Sequence, residues 1–321
     1  MRWAATRREF LAGSIALCGM AGRVLAETAR PKRVALVTSG AGSAIQGWIR
    51  DTLRSDGYVE GKNLIIDFRE AKGHYAELPR LLSEVIALDP DVIIAEATPA
   101  VAAAQKLTAT IPIVMAPSTD PIGSGFVKSF SHPGGNITGI ANMFDDLTAK
   151  TLDIVRLVFP GARKIGILSS ANPTHPPLAA TAIRAANAIG IAAESFVAPN
   201  PEDIEKAFSG MREANCDVAY VLADPPRPNL PSLAMKYHLP AVYQVNTYIP
   251  RGGLMSYGPH VPSIFVRAAY YVERLLKGGN PAEMPVEQPT KFVFAVNLKT
   301  AKEMNLVIPE RVLVMADEII E

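Results

Sequence analysis

The sequence predicts an α/β protein of two Rossmann-like lobes, each built on a parallel sheet. Two observations carry this. Short β-branched runs alternate with helical patterns, as in successive βαβ units. The alternation also runs through the chain twice, on either side of the turn cluster Ser131-His132-Pro133-Gly134-Gly135-Asn136. A length of 321 residues exceeds one average domain and suits two.

The first set reads Val34–Thr38 as a strand, Ile45–Leu53 as a helix ending near Gly57, and Leu64–Phe68 as a second strand. Leu81, Leu82, Val85 and Ile86 share one face of a helix over Leu78–Leu88. Val92–Ala95 follows as a strand, Ala100–Leu107 as an alanine-rich helix and Ile111–Met115 as a fourth strand. Ile137–Ile140 reads as a short crossing strand. The second set repeats the order: helices over Leu147–Phe159, Ala179–Ile189, Glu202–Ala214 and Leu230–Tyr237, and strands at Lys164–Leu168, Ala193–Val197, Val218–Leu222 and Ala241–Val245. The tail offers strands at Leu254–Tyr257 and Phe292–Ala295, a strong helix over Ser263–Lys277 and a short one over Leu298–Met304.

The first residues read as an address. Thr6-Arg7-Arg8-Glu9-Phe10-Leu11 sets paired arginines before a short apolar run, and Val24-Leu25-Ala26 is a suitable cleavage site. Residues 1–26 are therefore expected to be a signal peptide of the twin-arginine type, which exports folded proteins. The run is too short and glycine-rich to span a bilayer. Leu17 before Cys18 argues against a lipid anchor, and Cys216 then remains as the sole cysteine, expected to be an inert core residue. A net charge of +1 with dispersed basic residues points to neither nucleic acid nor a membrane surface as partner.

In open α/β sheets, ligands sit beyond the carboxyl ends of the strands, where loops and helix N-termini converge. That rule selects Ser39, Gly40 and Ser43 after the first strand, Ala97 and Thr98 after the third, and Ser118, Thr119 and Asp120 after the fourth. In the second lobe it selects Ser170, Asn172, Asp224, Gln244 and Asn246. Helix N-termini behind Ser43 and Pro99 offer free amides to a carboxylate. Each residue also has a structural use: Ser43, Thr98 and Ser118 as helix caps, Asp120 before Pro121 as a turn former. Asp120 or Asp224 is suited to a ligand ammonium, and Arg227 either to pairing with Asp224 or to a ligand carboxylate. Tyr243 and Tyr257 suit core or hinge packing.

Several stretches, in order, resemble the substrate-binding proteins of ABC importers, in the branch that includes tryptophan- and other aromatic-amino-acid-binding members. They are Gly57-Tyr58-Val59-Glu60-Gly61-Lys62-Asn63, Ile111-Pro112-Ile113-Val114 with Asp120-Pro121, and His132–Gly139. Gly252–Gly258, Pro285–Phe292 and Ala316–Glu321 complete the set. The resemblance implies the type I periplasmic-binding fold, two lobes joined by a three-strand hinge. Lobe one would be residues 31–140 plus about 259–288, and lobe two 141–258 plus about 289–321. Tyr257 would lie on the second hinge strand, beside the cleft. It further implies a small-molecule ligand, inner-membrane permease subunits as partner, a periplasmic location and a monomer, with no cofactor. The chain departs from the pattern at Ala97-Thr98, where members often carry Gly-Thr, and at Asp224-Pro225-Pro226-Arg227-Pro228, where amino-acid-binding members tend to carry Asp-Asn.

Two alternatives stay open in the sequence. One is a periplasmic sensory binding protein. The other is an exported nicotinamide or flavin oxidoreductase, prompted by Gly40-Ala41-Gly42-Ser43-Ala44-Ile45-Gln46-Gly47 after the first strand, with Asp67 ending the second. A dinucleotide fingerprint needs its third glycine where Ile45 stands. There is no Gly-x-Ser-x-Gly elbow or Walker loop, the five histidines lack zinc-site spacing, and a lone cysteine does not make a racemase pair. The chain is therefore expected not to be an enzyme.

Overall fold

Residues 30–225, 227 and 229–321 are described in a computed structural model. The export segment expected over residues 1–26 lies outside them. The first sheet is formed by β1 (Lys32–Thr38), β2 (Leu64–Glu70), β3 (Val92–Ala95), β4 (Ile113–Ser118) and β5 (Ile137–Ala141), connected through helices α1 (Ser43–Ser55), α2 (Leu78–Ile86) and α3 (Ala97–Leu107). All pairs are parallel, in the order β2-β1-β3-β4-β5. Both faces are covered, so the strands are apolar runs rather than alternating ones: Val34 to Val37 and all of β3 are buried. On one face Ile45, Ile49 and Leu53 of α1, at helical spacing, pack into the cluster with Leu36 and Ile94. On the other, α2 and α3 cover Ala35, Val37 and Ile93.

The second lobe begins with α4 (Phe144–Val158) and continues β6 (Lys164–Ser169), α5 (His175–Ala188), β7 (Ala192–Val197), α6 (Ile204–Glu213), β8 (Val218–Val221), α7 (Leu230–Lys236), β9 (Ala241–Tyr243) and β10 (Met255–Pro259). Its order is β7-β6-β8-β9-β10, the first lobe's pattern repeated. Cys216 is buried here as a free thiol. Gly166 is required beside it, because a Cβ there would lie 2.7 Å from Met211 and 3.2 Å from Cys216.

The chain crosses between the sheets three times. After β5 it enters α4. After β10 it returns as α8 (Val261–Leu276), whose Ile264, Phe265, Ala268 and Val272 join the α1 side of the first core. Glu287 then pairs with the end of β5, its N–H donating to Gly139 and its carbonyl accepting from Ala141. The chain next enters β11 (Phe292–Asn297), antiparallel to β10, followed by α9 (Leu298–Glu303), α10 (Glu310–Leu313) and β12 (Glu318–Ile320). Among the described residues no helix is long and apolar enough to cross a membrane.

The structure adds elements that periodicity misses. α10, β12 and a 3₁₀ turn over Asn246–Arg251 are too short to show a period. Helices α3 and α5 start at Ala97 and His175 rather than at Ala100 and Ala179. Their first turns carry Pro99 and Pro176-Pro177, tolerated where no intrahelical N–H bond is made, and these polar or proline-bearing turns hide the true start.

Candidate ligand-binding site

In each lobe the helix after the first strand and the helix after the third lie on opposite faces of the sheet, so a crevice opens between those two strand ends. In the first lobe one side chain bridges it. Glu96, directly after β3, accepts the N–H groups of Ser39 (2.9 Å) and Gly40 (3.3 Å) on Oε2, while Ser39 Oγ donates to the Glu96 carbonyl (2.7 Å). Glu96 is 5% exposed. Burial pushes its carboxyl up to about 7; the two amides oppose this and the nearby Asp224 charge adds to it.

The second lobe closes its crevice with a histidine. Ser170 N–H donates to His175 Nδ1 (2.8 Å), which leaves Nε2 to donate to the carbonyl of Ala223 (3.0 Å). Burial holds this imidazole below its ordinary value, consistent with the neutral tautomer those bonds require. Gln244 supports the same loop: its Oε1 accepts from Ala223 N–H (2.7 Å) and its Nε2 donates to Tyr220 Oη (2.7 Å).

The lobes meet across the cleft. Asp224 is ion-paired with Arg227 and accepts from Tyr75 Oη of the opposite lobe at 2.5 Å. Burial, with the Asp224 charge next, raises the Tyr75 phenol well above its usual value and keeps it a donor. Gly40 faces Pro225 so closely that a Cβ would lie 2.2 Å from the Pro225 Cβ. At the rim His74 Nε2 lies 3.6 Å from Glu202. This is a shut cleft.

Between the lobes lies a cavity of about 150 Å³. One wall is apolar: Trp48 stacks on Phe265 (5.9 Å between centroids, 25° between planes), with Ile45, Phe144, Val245 and Val261 beside them. The lining also carries polar side chains from both lobes. Asn142 Oδ1 and Thr247 Oγ1 are buried without a hydrogen-bond partner, and Arg251 reaches the lining from the 3₁₀ turn. Asn142 is held by its Nδ2, which donates to Thr119 Oγ1 (2.7 Å). Asn172 is fixed through Oδ1, which accepts from Thr174 N–H (3.1 Å) and Oγ1 (2.9 Å).

Of the residues selected from sequence, Ser43, Ala97, Thr98, Thr119, Asn172 and Asp224 line this cavity. Ser39, Ser118, Ser170 and Gln244 are buried around it as supports rather than lining, and Gly40 is the contact with Pro225. Asn246 and Tyr257 are not in the lining; Tyr257 Oη instead takes a 2.7 Å bond from Lys150. Asp120 is exposed, with φ at 40°, and its Oδ1 accepts from Gly123 N–H (2.9 Å), the turn role. The expectation that Ser43, Thr98 and Ser118 cap helices does not hold. α1 begins at Ser43 itself and α3 one residue before Thr98, so both side chains stand inside their helices rather than at the cap positions Gly42 and Glu96, and neither helix has a side-chain cap bond. Thr98 Oγ1 instead meets Ser118 Oγ and accepts from Thr119 N–H, both at 3.1 Å. Arg227 is the buried partner of Asp224, with Nη1 donating to the Ala198 carbonyl at 3.3 Å. The glycine loop has a packing cause too: a Cβ on Gly42 would lie 2.5 Å from Thr38 Oγ1.

Glu96, Asn142, Phe144, Arg251 and Phe265 line the cavity but lie outside the strand-end loops that the sequence offers. A charged residue abutting the buried run Val92–Ala95 was the available signal for Glu96. Phe265 arrives from the tail helix, which a linear reading attaches to no strand end.

A family model described as ABC transporter substrate binding protein matches residues 34–320. The chain belongs to this family. It is 26% identical over 276 residues to a "Tyrosine-binding protein" of Clostridioides difficile (strain R20291), covering 82% of this chain and 76% of that one. Among solved structures it is similar to a conserved domain protein of Vibrio cholerae, with a TM-score of 0.84 at 27% identity, covering 90% of this chain and all of that one. It is also similar to an ABC domain of Streptococcus pneumoniae solved in complex with L-Trp, with a TM-score of 0.82 at 24% identity and the same coverage. The two-lobed α/β architecture, the family and its type I periplasmic-binding fold agree with the sequence reading. Members of this family bind solutes for ABC transporters.

Proposed function

We propose that this chain is the extracytoplasmic receptor of an ABC importer, capturing a small ligand with an aromatic or amino-acid-like body between its lobes and delivering it to a membrane permease. The observation that carries the reading is the cavity itself. It sits at the strand ends of both lobes, has an aromatic wall, and holds two buried polar oxygens, on Asn142 and Thr247, without protein partners. Buried polar groups are rarely left unpaired, so such atoms in a cavity point to a ligand. The tyrosine- and L-Trp-binding relatives favour the same ligand class.

In this mechanism the first-lobe loops bind first, the second-lobe loops complete the cage, and the closed form docks on the permease. Ligand shifts the open–closed equilibrium by its difference in affinity for the two states. Export before residue 27 and a monomeric state are part of the proposal. A thermal-shift panel of amino acids, aromatic acids, amines and small carboxylates tests it. A solute at a hundred times its Kd is expected to add about 2.7 kcal/mol of stability; no stabilisation by any member of the panel would refute the reading.

A further inference from the structure

We infer that Glu96 is the residue that reads the ligand's nitrogen, so that the site selects ligands carrying an ammonium group next to their apolar body. This rests on the proposed function above and assigns its specificity to one side chain.

Two carboxylates line the cavity, Asp224 and Glu96. Asp224 has the better pedigree from sequence, but its charge is spent: Arg227 pairs with one oxygen and Tyr75 donates to the other. Glu96 differs. Both of its protein hydrogen bonds fall on Oε2, from the amides of Ser39 and Gly40. Those bonds fix the carboxylate plane at the mouth of the first-lobe crevice and leave Oε1, among the described residues, without a partner. The residue is only 5% exposed and lines the cavity. A buried carboxylate with one bound and one open oxygen is costly unless something donates to it.

The rest of the cavity supplies the complement. Trp48 and Phe265 present flat apolar surface. Arg251, which makes no ion pair among the described residues, belongs to the other lobe and suits an anionic group. An ammonium on Glu96 and a carboxylate toward Arg251 would make the ligand an electrostatic bridge between the lobes. The charged and titratable groups around Glu96 are Asp224 from the loop after β8, with Tyr75, Arg227 and His175 gathered around Asp224. Of these, Asp224 disfavours an ionised Glu96, and a ligand cation offsets that repulsion.

The test compares L-tyrosine, tyramine and 3-(4-hydroxyphenyl)propionate by titration calorimetry at about pH 8, with wild type and Glu96→Gln. The amide keeps the acceptor for Ser39 and Gly40 and removes the charge. Wild type is expected to bind L-tyrosine, which shares the propionate's carboxylate and adds the ammonium, about ten- to a hundredfold more tightly than the propionate, the range for a hydrogen bond to a charged group. In Glu96→Gln the gap between L-tyrosine and the propionate is expected to close to within about threefold, and tyramine, which has no carboxylate for Arg251, is expected to weaken by about the factor that L-tyrosine loses. The same collapse is expected in wild type on lowering the pH to about 5.5, below the Glu96 value of about 7, which makes the test independent of the variant's folding. A wild type that holds the propionate as tightly as L-tyrosine overturns the inference, as does a Glu96→Gln chain that still discriminates between these two. Those outcomes leave the cleft reading standing. Failure of wild type to bind any of the three would instead refute the aromatic-ligand reading, and the inference with it.

Discussion

Gly40→Ala tests closure with a single methyl group. The backbone at residue 40 is outside the left-handed region, so alanine is conformationally acceptable there. The amide bond to Glu96 is retained. What changes is the opposite wall: the new Cβ would lie 2.2 Å from Pro225 Cβ and 3.1 Å from its Cα and carbonyl carbon. Side-chain carbons essentially never approach within 3.0 Å, so the lobes must part by most of an ångström at this point. Overpacking of this kind costs about 1–3 kcal/mol, and here the cost falls on the closed state alone. The expected result is a Kd raised roughly five- to 150-fold, measured by calorimetry with whichever solute stabilises the wild type. The melting temperature of the ligand-free protein should change little, because the clash is between lobes. Adding Pro225→Gly, which removes the nearest atom, should recover part of the affinity. Affinity within twofold of wild type for Gly40→Ala would refute the argument that Gly40 and Pro225 meet in the bound form.

Tyr75→Phe removes the hydrogen bond that joins the first lobe to Asp224. A bond to a charged acceptor is worth about 1.5–3 kcal/mol, so Kd should rise about tenfold or more, with an unchanged fold by circular dichroism. Ala97→Gly should stabilise the chain by about 1 kcal/mol, read from urea unfolding, because Ala97 holds φ at 64°. The pH dependence of stability should carry the mark of Glu96. Its folded-state value of about 7 exceeds the ordinary 4.5, so between these limits the native state holds more protons than the unfolded chain. Stability therefore falls as pH rises through that window, by an amount on the order of 3 kcal/mol. Denaturant midpoints of wild type minus Glu96→Gln across that range should show the slope, and a flat difference would contradict it.

The alternation of strands and helices was enough to read both lobes, because parallel strands buried on both faces are apolar runs that stand out from amphipathic helices. The strand-end rule also led to loops that line the cavity between the lobes. It was less able to separate lining from support. Ser39, Ser170 and Gln244 have the composition of ligand-binding residues, yet their hydrogen bonds go to Glu96, His175 and Ala223. Asp120 and Asp224 are polar in the same way, but one closes a turn and the other an ion pair. The supporting roles depend on distant partners, 57 residues apart for Ser39 and Glu96 and 21 for Gln244 and Ala223, which spacing along the chain does not encode. The aromatic wall was hidden for a similar reason: Trp48 and Phe265 meet only because α8 returns from the second lobe to pack on α1.

In the proposed function one ligand is held by loops of both lobes. Hydrogen exchange with and without a stabilising solute tests it most directly. Slowed exchange is expected together at residues 39–43 and 96–98 of the first lobe and at 170–172 and 223–224 of the second. Protection confined to one lobe, or found away from these strand ends, would contradict it.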